Sequence, residues 1–425
     1  MREETRQWIA QDQAHCWHPF TRQGEWCARS HEPLVLVRGK GSWLWDSEGR
    51  KYLDGNSSIW TNIHGHAHPA INAAVQEQLE KAAHTSFLGF THPLAVELAD
   101  RLCGLFPAHS LERVFFSDNG STAVECALKM ALQYHQQTGA PDRNLFVAFT
   151  NGYHGDTLGA ASLGGVGRFF ERFRGIGYPV QHIATMEELK KSPADRVAAV
   201  IIEPLIQGVN EMRPWPAGML AELRDWCDEN GVHLILDEVM TGFGRTGTMF
   251  ACQQEKVIPD FLCLAKGLTG GYLPLAATLT TGKIYDAFLG SAERAFYYGH
   301  SYTANPLGCA AALASLDLFE TERTLDHLPG KIARLADGLA ALKSSQPLVH
   351  EIRQCGLIVG IELRRADGEK FPPAERFGES VCLAARAHGL LTRPILDTIV
   401  LMPPPSSSLE EIDHAVNALN QALAE

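Results

Sequence analysis

Residues 233–271 read HLILDEVMTGFGRTGTMFACQQEKVIPDFLCLAKGLTGG. Two apolar runs in this stretch, His233-Leu-Ile-Leu-Asp237 and Phe261-Leu-Cys-Leu-Ala-Lys266, each end on a charged residue. Short aliphatic runs bounded by charge and glycine predict buried strands. A charge at the end of such a strand is expensive unless it is paired or chemically used. Asp237 and Lys266 therefore mark where two strands leave a core for a cleft. Similar runs flank them: Val114–Ser117, Leu145–Phe149, Val197–Glu203 and Leu275–Thr280. Helical patterns over Ser121–Tyr134 and Ala217–Glu229 separate several of these runs. That alternation predicts an α/β fold with a mainly parallel sheet covered on both faces. Ligands on such sheets bind beyond the carboxyl ends of the strands, where Asp237 and Lys266 fall.

After about residue 320 the pattern changes. A helix precedes the strand-like Gly356–Leu363, a second helix covers 375–389, then come Thr398–Met402 and a last helix. This reads as a smaller α+β domain over 321–425, completed by an N-terminal segment, 1–70, that also contributes to the site. The large domain is expected over 71–320. The 425 residues carry 45% hydrophobic and 20% charged side chains, enough for a substantial core. A net charge of −12 without a basic block argues against nucleic acid or an anionic membrane as partner. The opening MREETRQWIAQDQ lacks an apolar signal core, and no stretch approaches the roughly 18 apolar residues of a membrane span. Ten cysteines without a C-x-x-C pair indicate neither a zinc ribbon nor a disulfide framework. A cytoplasmic enzyme with reduced thiols is the expectation.

Several motifs fall at predicted strand ends. Ser117-Asp-Asn-Gly-Ser-Thr122 follows a strand and opens a helix, which suits either a simple N-cap or a phosphate at Gly120 and Ser121. Asn151-Gly-Tyr-His-Gly155 puts Tyr153 beyond another strand, as a surface turn or as an aromatic face for a flat ring. Glu203 ends a third strand and reads as a supporting carboxylate. Gly242-Phe-Gly-Arg-Thr-Gly247 has the spacing of a dinucleotide fingerprint, but no long helix pattern follows it, nor a second strand ending in an acid. NAD is therefore not expected, and Arg245 is assigned to lining or bracing the site. His64-Gly-His-Ala-His68 reads as a turn rather than a metal site. Gly267, Gly270 and Gly271 keep side chains away from Lys266. Pyridoxal phosphate uses a pair like Lys266 and Asp237: the amine condenses with the cofactor aldehyde, and the carboxylate keeps the ring nitrogen protonated. Desolvation that lowers the lysine pKa favours that condensation.

The stretches DGNSSIWTNIHGH, SDNGSTAVECALKMA, NGYHGDT, IIEPLIQG, LDEVMTGFGRTG, CLAKGLTGGYLP and HSYTANPLGCAA run through most of the chain. Together they resemble the class III pyridoxal-phosphate aminotransferases of fold type I, whose central sheet has seven strands. The resemblance implies that Lys266 binds the cofactor covalently, that Asp237 partners its ring nitrogen, and that Tyr153 stacks on it and touches substrate. It implies that Gly120 and Ser121 cradle the phosphate. It also implies a homodimer with shared sites, in which His300 and Ser301 reach the phosphate of the second subunit and Gly299 lies beside substrate. Arg393 would take a substrate carboxylate, a role suited to a bidentate guanidinium.

Within the class, Trp17-His-Pro-Phe-Thr21, Leu391-Thr-Arg-Pro394 and Leu401-Met-Pro-Pro404 resemble members of biotin biosynthesis. Those members convert 8-amino-7-oxononanoate to 7,8-diaminononanoate. Adenosylmethionine-using members carry Tyr where this chain has Phe20 and paired tryptophans where it has Ile59-Trp60. S-adenosylmethionine is the expected donor and L-lysine the alternative. An ω-aminotransferase for putrescine or 4-aminobutyrate, an aminomutase, and a non-catalytic cofactor-binding protein are the remaining readings.

Overall fold

Seven strands build the central sheet: β1 (Arg113–Ser117), β2 (Leu145–Phe149), β3 (Val180–Ile183), β4 (Val197–Ile202), β5 (His233–Asp237), β6 (Phe261–Leu264) and β7 (Ala276–Thr280). The computed structural model describes residues 1–28, 33–173 and 175–425. Strand order is β1-β7-β6-β5-β4-β2-β3. All neighbours are parallel except that β7 runs antiparallel to both β6 and β1. Six strands coincide with the apolar runs of the sequence. The seventh, Val180-Gln-His-Ile183, lies at the sheet edge with only Ile183 fully buried, so it needs no apolar run.

Side-chain alternation along β5 divides the core. Leu234 and Leu236 join one cluster with the helices Pro93–Gly104, Met219–Asn230 and Pro306–Thr321. Ile235 joins the other, with the helix Gly120–Gln137. Every residue of β4 to β7 is buried, as expected for strands covered on both faces.

A second core lies in the C-terminal region. Four antiparallel strands stand in the order Val349–Cys355, Ile358–Leu363, Thr398–Leu401, Arg393–Ile395. Helices Thr324–Ser345 and Leu409–Ala422 pack in the same apolar cluster. Val349–Cys355 and Arg393–Ile395 were not legible in the sequence: VHEIRQC carries polar side chains without period two, and RPI is an edge of three residues. The N-terminal strands Leu36–Lys40, Trp43–Asp46 and Lys51–Asp54 form a sheet whose fourth member is Leu390–Leu391, parallel to Lys51–Asp54. Two ends of the chain thus meet in one sheet.

Candidate active site

A cavity of about 470 Å³ opens beyond the carboxyl ends of the parallel strands. Its wall includes Asp237 from β5, Lys266 just after β6, Tyr153 after β2 and Glu203 after β4. Gly120 and Ser121, at the start of the 18-residue helix Gly120–Gln137, close one end. The sheet register explains the grouping, because Asp237 pairs with Cys263 and Lys266 follows three residues on. Lys266 has φ +46°, a left-handed conformation that the tight Gly267–Gly271 turn imposes at the strand end.

Electrostatics make the two charged groups usable. Burial pushes the Lys266 amine down to about 8, against the opposing pull of Asp237 and Glu203. Its Nζ lies 4.8 Å from the centre of the Trp60 ring. Asp237 is held on both oxygens. His154 Nδ1 is 2.8 Å from Oδ2, and the Val239 amide donates to Oδ1 at 3.1 Å. An ionised carboxylate only accepts, so His154 presents a protonated Nδ1. Glu203 Oε1 accepts from the Tyr153 amide at 3.1 Å and Oε2 from Gly208 at 2.9 Å. Burial raises the Glu203 pKa to about 7.

The sequence did not reveal His154 or Asp156 as parts of the site. Both stood in NGYHGDT, but nothing local shows that His154 turns inward to Asp237. Tyr153 Oη donates to Asp156 Oδ2 at 2.7 Å, and the Asp156 amide donates to Ser121 Oγ at 3.0 Å. Burial and then the Asp156 carboxylate hold the Tyr153 phenol well above its ordinary range. The phenol therefore remains a neutral donor.

Trp60 reaches Lys266 through an unusual backbone. Ser57, Ser58, Ile59 and Trp60 all have φ between +45° and +68°, a single left-handed turn of residues that normally avoid it. Ser57 Oγ donates to the Met402 carbonyl at 2.6 Å, and Trp60 Nε1 donates to Asn56 Oδ1 at 2.8 Å. The Ser58 amide and hydroxyl donate to Asp54 at 2.9 and 2.7 Å. The fully buried Arg245 donates to Ser57 Oγ and to the carbonyls of Asn62 and Pro403. Arg245 thus braces the turn and does not line the cavity. Strain that surroundings hold in place thus lies beside the cavity wall, at Trp60.

The remaining sequence-derived residues stand further out. Ile59 is 45% exposed and Phe20 61% exposed, and neither lines the cavity within the single chain. Phe20 meets Phe169 edge-on at 5.4 Å, and Phe169 meets Tyr153 at 6.3 Å. Gly299 and Ser301 are exposed, while His300 Nε2 lies 3.9 Å from Asp118 of the same chain. Arg393 is exposed on its edge strand and has no ion pair among the described residues. That strand borders the site: Ile395 packs in one cluster with Trp60 and Met240, two cavity residues. His64, His66 and His68 have separate partners in Ser315, Asp54 and Glu322.

A phosphorylated pyridine ring fits these residues. First-turn amides such as those of Gly120 and Ser121 cannot be used inside a helix and are available to a phosphate. The site is also kept bare. A Cβ at Gly120 would come within 2.7 Å of Val239 Cγ1, and one at Gly155 within 2.2 Å of Ser121 Oγ. The buried amine and the clamped carboxylate then supply the two contacts the ring needs.

The Aminotransferase class-III family profile matches residues 26–423. The chain belongs to this family of pyridoxal-phosphate-dependent aminotransferases and has its α/β, fold type I architecture. Among its relatives, the adenosylmethionine-8-amino-7-oxononanoate aminotransferase of Geobacter sulfurreducens is 45% identical over 97% of this chain and 96% of its own. Its counterpart in Nitratidesulfovibrio vulgaris is 47% identical over 97% of this chain and 80% of its own. The crystal structure of the Methanocaldococcus jannaschii enzyme of that name superposes with a TM-score of 0.95 at 39% identity, covering 99% of both chains. An (S)-enantioselective omega-transaminase from Thermomicrobium roseum gives a TM-score of 0.92 at 34% identity, over 99% of this chain and 98% of its own.

Proposed function

We propose that this chain transfers an amino group from S-adenosylmethionine to the ketone of 8-amino-7-oxononanoate, forming 7,8-diaminononanoate for biotin synthesis. The supporting observation is the near full-length likeness to relatives named for that activity, 45–47% identical. The cavity containing Lys266, Asp237 and Tyr153 is where we place the reaction.

Bound there, pyridoxal phosphate supplies a carbonyl for the donor amine and an electron sink for the carbon that loses its proton. Lys266 Nζ takes the proton from the amine-bearing carbon of the donor and later delivers one to the former ketone carbon of the acceptor. Asp237 holds the positive charge of the ring nitrogen in place, and His154 orients Asp237. Tyr153 would stack on the ring and present to substrate its hydroxyl oxygen, whose proton is donated to Asp156. Gly120 and Ser121 hold the phosphate.

The reading includes a cytoplasmic homodimer. His300 and Ser301 reach the phosphate of the second subunit, and Gly299 lies beside substrate. Exposure of Gly299, Ser301 and Tyr302 within one chain supports this arrangement. All ten cysteines are free, and among the described residues no helix is long and apolar enough to cross a membrane.

Arg393 is assigned to the carboxylate of the keto acid. Arg393→Ala is expected to raise KM for 8-amino-7-oxononanoate about tenfold or more, since a hydrogen bond to a charged group contributes roughly 1.5–3 kcal/mol. An unchanged KM in steady-state kinetics would remove Arg393 from the site.

L-Lysine as donor is the second reading, and Phe20 favours it. Its ring ends without the hydroxyl that a tyrosine would offer, and Ile59 has no indole donor. Single-turnover mixing of the cofactor-loaded protein with each donor separates the two. S-adenosylmethionine is expected to convert the bound cofactor to its amine form, read by absorbance. Conversion by lysine alone reverses the assignment.

A further inference from the structure

The helix Glu3–His15 ends at Cys16, and after residues 17–22 the chain forms the short helix Gln23–Trp26. A single carboxylate, Asp12, pins both ends of the intervening loop. His18 Nε2 lies 2.9 and 3.0 Å from the two Asp12 oxygens, and Trp26 Nε1 donates to Asp12 Oδ2 at 2.8 Å. The His18 and Trp26 rings stand 4.0 Å apart. Two amides complete the closure: Gln23 Nε2 donates to the His18 carbonyl at 2.8 Å, and Gln13 Nε2 to the Trp26 carbonyl at 3.0 Å.

Phe20 lies in this loop, with φ +50°. A phenylalanine adopts that left-handed conformation only when its surroundings hold it there. The ring is 61% exposed, so burial of Phe20 itself does not supply the restraint. Its described ring contact is the edge-on meeting with Phe169, which in turn meets Tyr153 on the cavity wall. The far end of the loop is tied to the C-terminal region. Glu25 receives Arg22 at 2.9 Å and Arg376 at 2.5 Å, and Arg376 stands at the start of the helix Phe377–Ala384.

We propose that Asp12, His18 and Trp26 form a clasp that holds Phe20 at the mouth of the Lys266 cavity. Asp12 is thereby a positioning residue for substrate binding. The proposal rests on the reading of that cavity as the substrate site with Phe20 on its rim. A carboxylate is the group for the task, because each ionised oxygen accepts, so one side chain serves both the imidazole and the indole. An amide keeps one acceptor oxygen and turns an NH2 group toward the second donor. The clasp touches no reacting atom, so its loss acts on binding rather than on the chemical step.

The experiment is a double-mutant cycle in the cofactor-loaded protein, with steady-state kinetics for both substrates. Asp12→Ala is expected to raise both KM values about tenfold, with kcat within about twofold and cofactor content unchanged. Asp12→Asn falls between it and the unaltered protein. Phe20→Ala raises KM as well, and adding Asp12→Ala to it raises KM no further, because the clasp acts through Phe20. Hydrogen exchange over residues 16–22 rises in Asp12→Ala while the rest of the chain keeps its protection, which excludes general unfolding. Effects that multiply in the double variant, or unchanged KM values in Asp12→Ala beside raised ones in Phe20→Ala, overturn the clasp and leave the site reading standing. Unchanged KM values in Phe20→Ala itself overturn the placement of Phe20 at the site, and with it the proposal.

Discussion

Lys266→Ala is expected to abolish turnover, with a loss of about 10⁴-fold or more. General acid–base catalysis alone contributes roughly 10²–10⁴, and the covalent hold on the cofactor is lost as well. The folded state should survive, because the substitution removes a buried amine whose desolvation already opposes its charge. Thermal unfolding of the variant is therefore expected to match the unaltered apoprotein, while the visible absorbance of bound cofactor disappears. Ordinary turnover by this variant would sink the assignment of Lys266. A pH experiment examines the same amine from another side. Only the neutral amine condenses with an aldehyde, and burial holds Lys266 at about 8 rather than the usual 10.5. Cofactor uptake by the apoprotein should rise about tenfold per pH unit up to pH 8 and then level off. A rate that keeps climbing to pH 10 would mean an ordinary, hydrated lysine.

Asp237→Asn is the second large effect. The amide keeps the shape and can still accept from Val239, yet it no longer places a negative charge beside the ring nitrogen. A preorganised electrostatic contact of this kind contributes on the order of 10²–10³ to kcat. A loss of that order is expected, with substrate KM and unfolding temperature changing much less. The His154 contact at 2.8 Å also loses its ionic partner, so the amide has a less fixed orientation. A variant with near-normal kcat would show that Asp237 has only a structural role after β5.

The central sheet was legible because its strands are buried on both faces and therefore read as continuous apolar runs. β3 was not, since an edge strand such as VQHI can keep half its side chains in water. Val349–Cys355 hid for a similar reason: its Arg353 pairs with Glu351, Glu362 and Glu211, contacts that no local pattern announces. At the site, Asp237, Lys266, Glu203 and Tyr153 could be located because each stands where a predicted strand ends. His154 could not, because the sequence shows only that a histidine adjoins Tyr153, and the fold decides that it faces a carboxylate 83 positions away. Phe20 and Arg393 were marked by resemblance alone; Phe20 meets Phe169 beside Tyr153, and Arg393 lies on the strand whose Ile395 packs with Trp60.

The amino-acid sequence by itself determined the α/β class, the strand-end positions of the two key charges and, with them, the cofactor chemistry. These follow from local patterns, since strand burial and the cost of an unpaired charge are written in runs of a few residues. Tertiary structure alone decided how those charges are tuned. The depressed Lys266, the His154 contact on Asp237 and the left-handed turn under Trp60 all depend on groups distant in sequence. Desolvation and hydrogen-bond geometry are properties of the packed surroundings, and no single stretch of the chain contains them.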